Sequence, residues 1–179
     1  TKILCGTPMN LDKEKLKNLD KLPPDIKRQF ALYMNQWKEK KKESQIATDF
    51  LSFVKHVWPD FIEGKHHKEI ADKFNKLAEG KIKRLIINMP PRHTKSEFGS
   101  YLLPAWMVGK NPKLKIIQST NTTELSVRFG RKAKALIDSP EYQQVFKTRL
   151  KEDSQAAGKW ETAQGGEYYA AGVGSAITG

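Results

Sequence analysis

The stretch "NMPPRHTKSE", Asn88 to Glu97, decides how the chain is interpreted. It follows the common phosphate-loop pattern G-x-x-x-x-G-K-[ST] at its end, where Lys95 and Ser96 stand. Both glycines of the pattern are missing, because Met89 and Thr94 occupy their positions. The stretch is therefore either a phosphate loop of unusual composition or a proline-rich basic turn before a helix.

The segments on either side of the loop favour the first interpretation. "KRLIINM" (Lys83–Met89) is a short apolar run that predicts a strand buried on both faces. "EFGSYLLPAWMVG" (Glu97–Gly109) predicts a helix that is kinked at Pro104 and closed by Gly109 and Pro112. A strand, a turn and a helix in this order are the context in which a phosphate loop works.

Such a loop brings backbone N–H groups, a helix N-terminus and a lysine with a neighbouring hydroxyl together around an anion. Lys95 is placed to neutralise terminal phosphates, and the Ser96 hydroxyl to ligate Mg²⁺. Thr94 stands where glycine would permit a positive φ, so the sequence predicts local backbone strain rather than loss of function.

The chain after the loop predicts further α/β structure. "KLKIIQS" (Lys113–Ser119) predicts a second buried strand, and Asn121 with Glu124 predicts a capping box that opens a helix. The apolar stripe of that helix contains Leu125, Phe129, Ala133 and Leu136. Two β-like runs around Gly165-Gly166 predict a hairpin. The order of elements is typical of a parallel α/β sheet flanked by helices.

Two parts are predicted along the chain: a basic helical lead-in over residues 1–45 and an α/β domain over 46–179. A helix is expected after the proline pair of "LPPD", with Ile26, Phe30, Met34 and Trp37 on one stripe. A second helix is expected over Ile46–Val57, stopped by Trp58-Pro59. A third follows Gly64 with Ile70, Phe74 and Leu77 on one face and ends at Gly80.

The composition is that of a soluble protein with a polyanionic partner. The 179 residues carry 32 Lys and Arg against 20 Asp and Glu, a net charge of +12, which favours nucleic acid over a merely solvated basic surface. No apolar run approaches the roughly 20 residues that span a bilayer, so no membrane partner is expected. The single cysteine, Cys5, fits a reducing compartment.

The segments "RLIINMPPRHTKSE" and "SYLLPAWMVGKNPKLKIIQST" resemble the ATPase domain of large terminase subunits, the DNA-packaging motors of tailed bacteriophages. The resemblance runs from about Phe50 to Gly179. It implies a P-loop NTPase fold of the RecA-like (ASCE) kind, with ATP and Mg²⁺ as cofactors. It also implies double-stranded DNA, a homo-oligomeric ring, the portal protein and the small terminase subunit as partners, in the cytoplasm of a host cell.

The resemblance assigns roles to individual residues. In that family the loop often begins with Pro-Pro-Arg. The resemblance implies that the following residues contact the nucleotide: Pro91, Arg92, His93, Thr94, Lys95 and Ser96. It also implies that Ser96 ligates the metal ion. Arg92 matches an arginine that stabilises the γ-phosphate within the same subunit; the alternative is a surface arginine.

Three residues outside the loop are further candidates. His67, in "GKHHKEI", aligns loosely with an adenine-reading motif; the alternative is a capped, solvated histidine pair. Arg128 and Arg131 lie three apart on one helix, and the resemblance implies that one of them completes a neighbouring subunit's site. Arg131 matches better, and the alternatives are a solvated basic face or a DNA contact.

Terminases continue into a strand with paired acids and later into a nuclease domain, and neither is found before Gly179. We therefore expect an ATPase part that is incomplete at its C-terminal end and inactive in hydrolysis by itself, from a protein that also carries an endonuclease. Another P-loop motor, such as a helicase, and a non-enzymatic basic DNA-binding module remain alternatives.

Overall fold

The structure, a computed structural model, describes residues 23–153 and 156–174. Residues 1–22, with Cys5, lie outside them. The chain divides into two compact units, Thr1–Lys41 and Lys42–Gly179, and the division falls inside the first described helix, α1 (Pro24–Thr48). The elements that carry the site belong to the second unit.

The helix predicted over Ile46–Val57 is wrong in its first residues. α1 continues to Thr48, and a separate helix, α2, spans Phe50–Val57. Asp49 separates them: its backbone is extended, and its side chain accepts a hydrogen bond from Ser52 N–H at 2.8 Å. Aspartate favours this capping position, so it ends one helix and opens the next. The predicted stop at Trp58 is confirmed, since Trp58 caps α2.

The helix predicted after Gly64 is confirmed as α3 (Lys65–Ala78). Ile70 and Phe74 are buried on the predicted face. Gly80 follows the helix at φ 72°, a left-handed conformation that favours glycine.

A continuous helical segment follows the loop, but its first part is wider than an α-helix. Glu97–Leu102 is π-helical, and α4 (Leu103–Lys110) continues from it. Pro104 has no N–H to donate, and the π-helical turn lies directly before it; the kink at Pro104 stays a prediction. Gly109 lies inside α4 and does not end it, which corrects the predicted terminus; Asn111 is the cap.

The sheet of the described residues has three strands in the order β1-β3-β2. β1 (Lys115–Thr120) runs parallel to β3 (Glu167–Gly172), and β2 (Lys159–Glu161) runs antiparallel to β3. The predicted hairpin is therefore confirmed, with Gly165 at φ 90° in its turn. The strand predicted over Lys113–Ser119 is confirmed as β1, but it is not buried on both faces, because Ile117 is 63% exposed.

The strand predicted over Lys83–Met89 is wrong for the described residues. The segment is neither helical nor paired with any strand of residues 23–153 or 156–174. Leu85, Ile87 and Met89 pack on the core, whereas Ile86 is 87% exposed. An apolar, β-branched sequence favours extended backbone, but a strand also needs a neighbour that accepts its hydrogen bonds.

The helix after β1 is α5 (Thr123–Ile137), followed by α6 (Pro140–Val145). The cap of α5 is Thr122, whose hydroxyl accepts from Leu125 N–H at 3.3 Å, so the predicted cap at Asn121 is wrong by one residue. Phe129, Ala133 and Leu136 are buried as predicted, while Leu125 is exposed.

Aromatic rings in the core fix the position of the loop helix, the continuous helical segment from Lys95 to Lys110. The ring centroid of Phe50 in α2 lies 5.0 Å from Phe74 in α3, 5.4 Å from Phe98 and 5.4 Å from Trp106 in α4. Phe98 is only three residues beyond Lys95 and is fully buried. The beginning of the loop helix is thus held by packing against α2 through the ring of Phe50.

Candidate functional site

The loop after Met89 has an unusual backbone. Arg92 lies at φ 64° and Thr94 at φ 58°, and among the described non-glycine residues only these two have positive φ. His93 between them and Lys95 after them do not, so the sign of φ alternates along the loop. Alternation of this kind turns successive N–H groups toward one side and forms an anion-binding concavity. The strain predicted at Thr94 is confirmed.

The loop passes directly into a helix N-terminus. Phe98 N–H donates to the Thr94 carbonyl at 2.9 Å, which places Lys95, Ser96 and Glu97 in the first turn. The N–H groups of a first turn have no acceptor within their own helix. Lys95 and Ser96 are exposed, and Lys95 Nζ donates to the Met89 carbonyl at 3.3 Å, across the mouth of the loop. Pro91, Arg92 and His93 are exposed as well.

His67 lies beneath the loop, and its side chain is not on an open surface. The residue is 5% exposed. Its Nδ1 accepts from Gly64 N–H at 2.9 Å, and its Nε2 lies 2.7 Å from Thr94 Oγ1. Helix α3 supplies His67 at its first turn, so two helix starts meet at this point of the fold. No sequence pattern predicts the contact of His67 with Thr94, because the two residues are 27 positions apart.

Two more histidines surround this contact. The ring of His66 lies 3.8 Å from that of His67 and 5.8 Å from that of His93, measured between centroids. Burial lowers the pKa of His67, and the neighbouring His66 and His93 act in the same direction. The three do not form a metal site: within residues 23–153 and 156–174 there is no group of three or more His, Cys, Asp or Glu side chains placed to hold a metal ion.

Sequence reasoning missed one connection of the loop helix. Glu97 accepts hydrogen bonds from Lys132 Nζ in α5, at 2.8 Å to Oε1 and 3.0 Å to Oε2. Both residues line a cavity of about 440 Å³ together with Trp58 and Tyr101. A pair separated by 35 positions leaves no periodic pattern in a sequence, and only the packing of α5 on the loop helix reveals it.

Arg128 and Arg131 are exposed on α5. Arg128 precedes Lys132 by one helical turn, which places the two on the same flank, about 40° apart around the axis. Arg131 is about 100° from Lys132 around the axis. Of the two arginines, Arg128 therefore shares the side of α5 that contacts the loop helix.

The remaining exposed charge is mostly basic. Every residue of the run Lys38–Lys42 in α1 is exposed. None of the helices in the described part of the chain combines the length and the apolar character that crossing a membrane requires. No protein-family model, no curated protein and no solved structure matches the chain. The geometry of the loop and its surroundings therefore supplies the functional argument.

Proposed function

We propose that this chain is the ATP-binding part of a P-loop motor of the large terminase kind, which couples ATP hydrolysis to the movement of double-stranded DNA into a procapsid. The observation that carries the proposal is the loop from Pro91 to Ser96. It has alternating φ signs, enters a helix directly, and presents an exposed lysine and hydroxyl at the helix start. A basic turn with only a structural role needs none of these features together.

The backbone of the loop and two of its cations would each contribute to nucleotide binding. The backbone N–H groups around Thr94 and the helix N-terminus favour a bound phosphate. Lys95 leaves the Met89 carbonyl and places its charge on the terminal phosphates. Arg92 lies in the same exposed turn and adds a second positive charge there.

The donor set fits Mg²⁺ only as part of a nucleotide complex. Ser96 contributes one hydroxyl at the helix start, and Mg²⁺ commonly takes one or two protein ligands together with phosphate oxygens and waters. When bound, the metal neutralises charge that develops on the phosphates. Glu97, the nearest acid in sequence, is held by Lys132 and is not free to replace a metal ligand.

The DNA-packaging part of the proposal rests on the sequence resemblance and on charge. A net charge of +12 suits a polyanionic track. Arg128 or Arg131 would reach a neighbouring subunit's nucleotide in a ring, as the exposure of both permits. The same loop and charge would also serve a helicase, which is the second candidate.

The experiment is a calorimetric titration of the chain with Mg·ATP. We expect binding in the unaltered chain and no measurable binding in Lys95→Ala, because this lysine is the charge that the loop directs at the phosphates. Lys113→Ala is the matched control, since it removes the same charge from another exposed position and should bind normally. In Ser96→Ala, the affinity for ATP in the presence of Mg²⁺ should fall more than the affinity for ATP in its absence. Unchanged affinity in Lys95→Ala would exclude a phosphate loop and leave the basic DNA-binding module.

A further inference from the structure

We propose that His67 is a positioning residue that holds the loop in its binding conformation through the Thr94 hydroxyl, with the ring in one fixed tautomer. This inference rests on the proposed nucleotide-binding function and specifies what replaces the missing glycine.

The tautomer follows from the hydrogen bonds. Gly64 N–H can only donate, so His67 Nδ1, 2.9 Å away, accepts and carries no proton. The proton of the neutral ring is then on Nε2, which donates to Thr94 Oγ1 at 2.7 Å. Thr94 Oγ1 in turn donates to the His93 carbonyl at 2.7 Å. The bonds form a directed chain from the start of α3 into the loop.

The ring is held in place as well as hydrogen-bonded. Its centroid lies 4.8 Å from that of Phe61 and 5.0 Å from that of Phe98, both in edge-on contacts. Phe98 belongs to the first turns of the loop helix, so His67 contacts the loop and the helix behind it at the same time. A ring that is 5% exposed and packed in this way has little room to reorient.

The backbone of Thr94 explains why such an anchor is needed. A β-branched residue at φ 58° is strained and persists only where its surroundings hold it. Glycine at this position would relieve the strain but offer no side chain to hold. At this position glycine would adopt a positive φ without strain, whereas Thr94 is held at positive φ by the hydrogen bond between its hydroxyl and the buried His67.

Two pairs of variants test the hydrogen bond between His67 and Thr94, one pair at each residue. His67→Gln keeps an N–H donor near the position of Nε2, whereas the shorter amide of His67→Asn reaches the position of Nδ1 and leaves no donor near that of Nε2. Thr94→Ser keeps the hydroxyl, and Thr94→Val removes it while retaining the branched shape. Each variant is titrated with Mg·ATP, and its melting temperature is measured without ligand.

We expect His67→Asn and Thr94→Val each to weaken Mg·ATP binding by about tenfold, as for the loss of one buried hydrogen bond. His67→Gln and Thr94→Ser should stay within about threefold. The double variant His67→Asn/Thr94→Val should bind no more weakly than either single variant, because both break the same contact. If the losses of Mg·ATP affinity in the two single variants added up in the double variant, the role of His67 would be overturned. It would also be overturned if His67→Asn bound Mg·ATP normally while Lys95→Ala did not bind. Either result would leave the phosphate loop itself intact.

Measurements without nucleotide test the same inference separately from the function. Nitrogen NMR of the His67 ring at neutral pH should show Nε2 protonated and Nδ1 unprotonated. The φ-dependent coupling constant of Thr94 should indicate positive φ in the unaltered chain and in His67→Gln, but change in His67→Asn. A ring protonated on Nδ1, or an unchanged Thr94 coupling in His67→Asn, would overturn the inference even if the chain bound no ATP.

Discussion

Lys132 and Glu97 connect the two helices that carry the candidate charges. The ammonium of Lys132 donates to both oxygens of the Glu97 carboxylate and also lies 5.4 Å from the centre of the Tyr101 ring. Glu97 directly follows Ser96, and Lys132 directly follows Arg131. A movement of the loop helix would therefore be transmitted to α5 through this pair.

Lys132→Met should lower the free energy of unfolding by about 0.5–1 kcal/mol, since the side chains of Lys132 and Glu97 are 37% and 35% exposed and water screens the ion pair. Urea unfolding measures this change. Glu97→Gln serves as the control, because it keeps the shape and loses the charge, and it should cost a similar amount. The double variant Lys132→Met/Glu97→Gln should cost little more than either alone; full additivity would show that the two residues act independently.

Asp49→Ala should lower the free energy of unfolding by about 1–2 kcal/mol through loss of a helix cap. The carboxylate accepts from Ser52 N–H at 2.8 Å, from Ser52 Oγ at 2.7 Å and from Asn75 Nδ2 at 2.8 Å, so the variant also removes one hydrogen bond between the start of α2 and α3. Asp60→Ala, at an exposed turn, is the matched control and should change stability by less than about 0.5 kcal/mol. Equal effects at the two positions would refute the capping role.

Gly130→Ala should lower the free energy of unfolding by about 1–3 kcal/mol through overpacking. A Cβ there would lie 2.5 Å from the Ala157 carbonyl oxygen and 2.9 Å from the Tyr168 ring. Gly99→Ala is the control, because a Cβ there meets nothing within 4 Å. Alanine is the better helix former, so the control should be neutral or stabilising by up to about 1 kcal/mol. Thermal unfolding of both variants distinguishes close packing from a general intolerance of alanine.

Acid should weaken the fold through His67. Burial lowers its pKa, with His66 and His93 adding to the effect and Glu63 opposing it, so the folded ring is harder to protonate than the unfolded one with its ordinary value of 6.5. The stability from the neutral ring is complete above that value and falls as the pH decreases toward the folded pKa. The unfolding free energy of the unaltered chain should therefore fall more steeply below pH 6.5 than that of His67→Gln. Parallel curves for the two proteins would contradict a buried neutral His67.

The chain should bind duplex DNA of any base sequence, and its affinity should fall as salt is added because binding releases counterions from the DNA. On a logarithmic plot of affinity against salt, each phosphate contact contributes a slope of about −0.9. Reversing exposed charges with Lys40→Glu/Lys42→Glu should make the slope shallower if α1 contacts DNA. Glu39→Gln/Glu43→Gln in the same helix is the control and should not reduce affinity. A slope unchanged by the reversal would leave this run as a solvated helix surface.

Periodic apolar patterns predicted the helices well because burial on one face is a local property of a sequence. Ile70 and Phe74 marked the buried face of α3, and the two glycines at 165 and 166 marked the turn between β2 and β3. The predicted start of α5 was wrong by one residue because two neighbouring polar residues, Asn121 and Thr122, can both cap a helix. Asp49 caps α2 and so divides the segment Ile46–Val57, whose sequence predicts one continuous helix.

The contacts of the candidate site were less predictable because they join distant parts of the chain. Lys95 and Ser96 could be chosen from their spacing, but nothing in the sequence relates His67 to Thr94 or Glu97 to Lys132. The Lys83–Met89 segment shows the same limit. Its composition predicts an extended backbone, whereas the pairing of a strand depends on which other strand lies beside it.

The exposed side of that segment bears on how the protein behaves in concentrated solution. The side chains of Ile86 and Ile117 are exposed, and β1, which contains Ile117, is an edge strand of the described sheet. Unpaired strand edges with apolar side chains act as templates for the addition of strands from other molecules. Purified chains should therefore self-associate as the concentration rises, and a lysine at position 86 or 117 should keep them monomeric without altering the loop. The open edge of β1 would nucleate fibrils if the chain were held for long periods without a partner.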